Sequence, residues 1–267
     1  MKIGLVQMNS RQNKAANLAA AGEGVAKLAG QGADLVLLPE MFNHLGSDPD
    51  NAAAAEEVPG LSTEWARRQA RQFGIFLHCG SIIERNEEGT YDTSLVYDRN
   101  GEEVARYRKL HLFDMVLRDG TVYRESEAIT PGDQVSVFDC DGVIAGLAIC
   151  YDLRFPELFR ALVDCGAHLF LLPAAFKVPT GMHHWEPLIR ARAIENACYV
   201  AACGQWGHWA PGKESYGHSM VVDPWGTVVA QCRDAVDTLI AEVDLTYLRA
   251  VRERLPVLKH RRRDLFG

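Results

Sequence analysis

Apolar and polar positions divide the chain into alternating strands and helices, and they do so twice. Near-continuous apolar runs, KIGLVQM at residues 2–8, ADLVLLP at 33–39, VIAGLAI at 143–149 and AHLFLLP at 167–173, read as strands buried on one or both faces. The spacing predicts helices over residues 14–28, 62–73, 156–164 and 183–196, with Ser62 as a cap and Pro156 suited to a first helical turn. Hairpins are expected at Arg99-Asn100-Gly101 and Pro224-Trp225-Gly226. The two passes echo each other in sequence. GADLVLLPE (32–40) returns as GAHLFLLPA (166–174), IFLHCGSI (75–82) as CYVAACGQ (198–205), and YDTSLVYDRNGEEVA (91–105) as YGHSMVVDPWGTVVA (216–230). Three echoes in one order imply two similar halves. Their sheets bury most apolar surface by stacking, which predicts a four-layer α-β-β-α sandwich with an internal pseudo-twofold repeat, a single domain over residues 1–267.

Composition narrows the partners. With 28 Lys and Arg against 35 Asp and Glu, the net charge of −7 argues against a broad nucleic-acid or membrane surface. No apolar run approaches the ~18 residues of a membrane span, and the start, MKIGLVQMNS, does not read as a signal peptide. Seven cysteines among 267 residues are too dilute for a disulfide framework. The expectation is a cytoplasmic, reduced protein. Cys79, Cys165, Cys198 and Cys203 read as small core residues, and Cys140 and Cys232 have no evident partner. The basic run Lys259–Arg263 sits in a tail of about 20 residues, expected to serve subunit contact in a homodimer or larger assembly.

Three strand ends carry reactive groups. ADLVLLP leads into Glu40, EEVARYR into Lys109 and VIAGLAI into Cys150. In α/β sheets ligands gather at such ends. Taken singly, Glu40 is a loop residue, Lys109 part of a wet basic stretch and Cys150 a small hydrophobe. Against this, Glu40 has Ala174 as its echo, so the fold does not require a carboxylate there. Cys150 also lies between a buried strand and the helix start at Arg154-Phe155-Pro156. A strand-to-helix turn exposes a nucleophile, and a helix N-terminus and a lysine favour its thiolate. Glu, Lys and Cys together form an acyl-transfer set. Cys198 and Cys203, five apart on one strand, point to opposite faces and make a poor metal pair, and His183, His184 and His208 lack zinc spacing. Gly217-His218-Ser219 is an incomplete serine-hydrolase elbow.

The motifs LLPEMF, YRKLHLFD and GLAICYDLRFPEL resemble the nitrilase superfamily of carbon–nitrogen hydrolases along essentially the whole chain. The resemblance implies the same sandwich and a Glu40-Lys109-Cys150 triad. A second glutamate is implied at Glu125 of YRESEAITPGD, with Glu127 the other choice. HWEPLIRARAIENACYV, SYGHSMVVDPWGTVVA and LPVLKHRRRDLFG are most similar to the deaminated glutathione amidase type. The implied reaction is hydrolysis of an anionic ω-amide through a cysteine thioester. Lys109 and the Tyr151 N–H would hold the oxyanion, and no metal or organic cofactor takes part. Relatives acting on α-keto acid amides imply that Arg154 and Thr180 meet the acid end. The stretch TGMHHWE departs from the usual TGPAHWE at Met182 and His183, beside the expected pocket. The competing readings are an ω-amidase acting on 2-oxoglutaramate-like substrates, an N-carbamoyl amine hydrolase, and, from another class, a non-catalytic interaction module.

Overall fold

The computed structural model of the protein describes residues 1–116, 120 and 122–266; the last residue of the C-terminal motif, Gly267, lies outside them. Two six-position sheets have the same internal order. The first runs Asp237–Glu242, Lys2–Gln7, Leu35–Leu37, Phe76–His78, Gly89–Tyr97, Glu103–Arg108, and Ile82–Asn86 extends the Phe76–His78 position along Gly89–Tyr97. The second runs Val137–Cys140, Val143–Leu147, Leu169–Ala174, Tyr199–Gly204, Met220–Val222, Val228–Gln231. In each, three parallel strands are central and antiparallel strands flank them. The register repeats as well: Ile3 faces Leu35 and Leu35 faces Phe76, as Ala145 faces Leu169 and Leu169 faces Tyr199. The expected pseudo-twofold sandwich is therefore present.

Alternation along each strand builds the layers. Ile3, Leu5, Leu35 and Leu37 share one buried core with Ala145, Leu147, Leu169 and Leu171 of the opposite sheet. Val6, Val36 and Leu38 turn outward onto Ala21, Val25 and Leu28 of helix Lys14–Gly30 and Ala66 and Ala70 of helix Leu61–Phe73. Helices Pro156–Asp164 and Val178–Asn196 cover the second sheet through Leu158, Phe159, Leu162, Trp185 and Ile189. One glycine in each half lets the helix approach: a Cβ on Gly4 would lie 2.8 Å from Leu28, and one on Gly146 would lie 3.0 Å from Leu162.

Several local expectations change. Helix Leu61–Phe73 is capped from Gly60, while Ser62 lies inside it and donates to Glu56 at 2.6 Å. The helix expected from residue 183 begins at Val178, because Pro179 falls in the first turn, where its missing N–H leaves no bond unmade. Cys165, expected in the core, is exposed at the end of helix Pro156–Asp164. Independently of its expected part in subunit contact, the basic tail is ion-paired within the chain, where Arg261 and Arg263 both reach Asp164 at 2.6 Å. Among the described residues no helix is long and apolar enough to cross a membrane.

Candidate active site

Each half of the repeat delivers different chemistry to one cavity. Counting on from the shared register makes Met8 of the first half the counterpart of Cys150 in the second, and Glu40 the counterpart of Ala174. Glu40 thus comes from the first sheet and Cys150 from the second, with Lys109 following strand Glu103–Arg108. All three, with Glu125, line a cavity of about 180 Å³.

The backbone is unusual beside both Cys150 and Glu40. Cys150 has φ +46°, a left-handed conformation that costs a non-glycine residue about 1–3 kcal/mol. The turn Cys150–Arg154 is held by the fully buried Asp152, whose carboxylate accepts from Ile149 N at 2.8 Å and from Tyr107 Oη at 2.7 Å. The same carboxylate accepts from His111 N at 3.1 Å, and His111 Nδ1 lies 2.7 Å away. Tyr107 and His111 flank Lys109, so Asp152 ties the Cys150 turn to the lysine's segment. Glu40 is hung separately. Gln205 Nε2 donates to its carbonyl at 2.9 Å, and Met41 N donates to Ser81 Oγ at 3.1 Å. Gly80, at φ +52°, packs so closely on this segment that a Cβ would lie 1.9 Å from the Pro39 carbonyl.

Lys109 is the hub of the charges. Its buried ammonium donates to Glu40 Oε1 and Glu125 Oε1, each at 2.9 Å, and lies 3.5 Å from Asp92 Oδ2. Glu125 is fixed in turn, its second oxygen accepting from Phe113 N at 2.5 Å. Glu127, the other choice from the sequence, is exposed. Burial pushes the Glu40 carboxyl up, but the Lys109 charge and hydrogen bonds from Cys150, Lys109 and Asp92 outweigh it and leave Glu40 below the ordinary glutamate range. Burial lowers Lys109, yet the surrounding carboxylates hold it well above the ordinary lysine value.

The thiol departs from expectation. Burial, then the negative charge of Glu40, hold Cys150 well above the ordinary cysteine range, and Lys109 pulls the other way without prevailing. The helix that was to favour a thiolate begins only at Pro156, beyond the five-residue turn. The resting pair is therefore a neutral thiol beside an ionised carboxylate.

Asp92 went unnoticed in the sequence, where it read as the polar start of a strand echoing Gly217. It is fully buried, its carboxylate lies against the Lys109 ammonium, and its oxygens cluster with those of Glu40 and Glu125. Three carboxylates around one ammonium are a metal-like donor set, but the cation they share here is Lys109. Burial and the charges of Glu40 and Glu125 raise Asp92 well above the ordinary aspartate range, against the pull of Lys109. A carboxyl raised in this way keeps its proton to higher pH than a free aspartate. Asp92→Asn, which keeps one acceptor and one donor, is expected to retain kcat/KM at pH 7 within roughly the fivefold that ~1 kcal/mol represents. Asp92→Leu is expected to lose far more. A large loss in the asparagine variant would show instead that Asp92 serves as a charged partner of Lys109.

The remaining sequence candidates divide. Arg154 lines the cavity, 5.3 Å over the Phe176 ring and 5.7 Å from that of Tyr151, with Nη1 3.2 Å from His184 Nδ1. Tyr151 and Thr180 also line it, the Thr180 hydroxyl donating to the Lys177 carbonyl at 3.2 Å. Met182 and His183 do not line it. Both are exposed, Met182 at 59%, so their departure from the usual stretch falls outside the pocket. Sequence reasoning missed Lys177, Trp209 and Lys213, which also line the cavity and come from a loop and a hairpin without a motif.

A family model described as carbon–nitrogen hydrolase matches residues 2–253. The chain is 41% identical to the deaminated glutathione amidase of Bos taurus, across 99% of this chain and 83% of that protein. It is 40% identical to omega-amidase NIT2-A of Xenopus laevis, across 100% of this chain and 96% of that protein. The crystal structure of the C. elegans NitFhit protein superposes with a TM-score of 0.93 at 40% identity, covering 100% of this chain and 66% of that one. Sequence, topology and the gathered strand-end residues agree, and the chain belongs to the carbon–nitrogen hydrolase family of the nitrilase superfamily.

Proposed function

We propose that the chain hydrolyses the amide C–N bond of a small anionic ω-amide of the deaminated glutathione type, with Cys150 as nucleophile. The observation that carries this reading is a neutral thiol beside the ionised Glu40, with the Lys109 ammonium 2.9 Å from that carboxylate, in a cavity whose wall holds Arg154. Glu40 accepts the thiol proton as Sγ attacks the amide carbon. The carbonyl π pair moves onto oxygen, where Lys109 and the Tyr151 N–H hold it. Collapse breaks the C–N bond, Glu40 gives its proton to the departing nitrogen, and a thioester remains. Glu40 then takes a proton from water as the hydroxide adds to the thioester, and returns it to the leaving sulfur. Glu125 positions Lys109. Arg154 and Thr180 receive the acid end of the acyl group, the guanidinium matching a carboxylate in a bidentate fashion. Neither a metal nor an organic cofactor has a part in this sequence. A reducing cytoplasm suits the free thiol. Exposed Trp225 and Ile194, beside the Gly226 turn, offer an apolar face for a homodimer or larger assembly.

The Xenopus relative supports a second reading, an ω-amidase acting on 2-oxoglutaramate-like substrates. Parallel turnover of deaminated glutathione, 2-oxoglutaramate and N-carbamoyl amines separates them. We expect the highest kcat/KM for deaminated glutathione. A preference for 2-oxoglutaramate would move the assignment to the ω-amidase, and carbon dioxide released with ammonia would indicate a carbamoyl substrate.

A further inference from the structure

Asp92 is fastened differently from the other two carboxyls around Lys109. Glu40 Oε1 accepts from the ammonium at 2.9 Å, and the two oxygens of Glu125 accept from the ammonium and from Phe113 N. Asp92 Oδ2 stands 3.5 Å off the same ammonium. Its backbone is fixed, since Lys109 N donates to the Asp92 carbonyl at 2.9 Å. The Ser81 hydroxyl, which accepts from Met41 N at 3.1 Å, is a further polar neighbour. Cys150 meets Glu40 from the second sheet. Oxygens of all three carboxyls lie within 4.8 Å of one another, and Asp92 is fully buried. One ammonium does not balance three carboxylates away from water, and a proton held between two of them relieves the repulsion. Both Glu125 oxygens are taken by N–H donors. Glu40 is the carboxylate with which Asp92 forms a hydrogen bond.

We propose that Asp92 is the protonated member of a carboxyl pair with Glu40, donating its O–H to the Glu40 carboxylate and acting as a positioning residue for the base. This rests on the reading above, in which Glu40 takes the thiol proton. The Asp92 proton is a spectator. The thiol proton passes to Glu40 and on to the departing nitrogen, while Asp92 gains and loses nothing over the cycle. Its hydrogen bond favours the charged form of Glu40. That keeps the base weak while the thiol rests, and makes protonated Glu40 a readier acid when the C–N bond breaks. Once Asp92 ionises, the donor is gone and a third negative charge lies 3.5 Å from the ammonium that holds the oxyanion. Activity should therefore have an alkaline limb set by Asp92. Burial and the charges of Glu40 and Glu125 place that limb above the ordinary aspartate range, and Lys109 draws it down.

The test follows kcat/KM against pH in the intact enzyme and in Asp92→Asn, which keeps an N–H donor for Glu40 but cannot ionise. We expect the alkaline limb to move up by at least about one pH unit in the variant, a tenfold change in ionisation constant. A merely structural role would lower the whole profile and leave the limb in place. In the wild type alone, infrared difference spectra between neutral and alkaline pH should lose the C=O stretch of a protonated carboxylic acid along the same limb. Absence of that band overturns the pair whether or not the variant folds, and so does an unmoved limb in Asp92→Asn. Glu40→Gln separates this from the reading on which it rests. Full turnover in that variant would remove Glu40 as the base and the pair with it, whereas an inactive Glu40→Gln beside an unmoved limb overturns the pair alone.

Discussion

Replacing Cys150 by Ala is expected to lower amide turnover by at least ~10⁴-fold, the order seen when a catalytic nucleophile is removed, and to leave no acyl-enzyme by mass spectrometry. The loss should be chemical rather than structural. Asp152 holds the turn through Ile149, Tyr107 and His111, and none of those bonds involves the thiol. Alanine inherits the positive φ of +46°, so stability should change little. Cys150→Gly sharpens the contrast, because glycine adopts that conformation without penalty. It is expected to be as inactive as the alanine variant, yet more stable than it by about 1 kcal/mol in denaturant titration. Residual thioester in either variant would remove Cys150 from the reaction.

Lys109→Met is expected to damage both chemistry and fold. A single oxyanion donor contributes roughly 10²–10³ in rate, and its loss sets the lower bound. Beyond this, the substitution leaves Glu40, Asp92 and Glu125 facing one another without their shared cation. Breaking a buried ion pair by removing one partner costs about 3–5 kcal/mol. The folded carboxyls would then titrate above their unfolded values, so the folded variant binds extra protons and its stability falls as pH rises. The wild-type Glu40 has the opposite sign: its depressed pKa contributes stability above the ordinary glutamate value of 4.5, and this is lost as pH falls through the folded value. Asp92 and Glu125, already raised in the wild type, carry the first sign there too, so between acidic and neutral pH the denaturant midpoint should fall more steeply in the variant than in the wild type. A parallel response would mean that the three carboxyls do not depend on Lys109.

How much of this was legible depended on what the repeat exposed. Glu40 stood out because its echo is Ala174, and Cys150 because it ends a buried strand before a helix start. The sandwich was legible because strand pattern and echo agree, and the register confirms both. Asp92 was hidden by its setting among Thr93 and Ser94, polar residues that look like a wet strand start and are in fact fully buried. Lys213 and Trp209 were hidden because the strands Trp206–Ala210 and Lys213–Tyr216 follow no apolar pattern. The thiol's resting state was misjudged because burial and a neighbouring carboxylate are tertiary facts, and both oppose ionisation.

Asp152 has a consequence for variation of this enzyme. Through Tyr107, His111 and Ile149 it makes residues 107–111 and 149–155 a single mechanical part, although some forty positions separate them along the chain. Glu40 hangs from a different support, Gln205. Loop grafts between relatives should therefore succeed when the lysine and cysteine segments travel together and fail when either travels alone. Glu40 meets that part through its carboxylate, at Lys109.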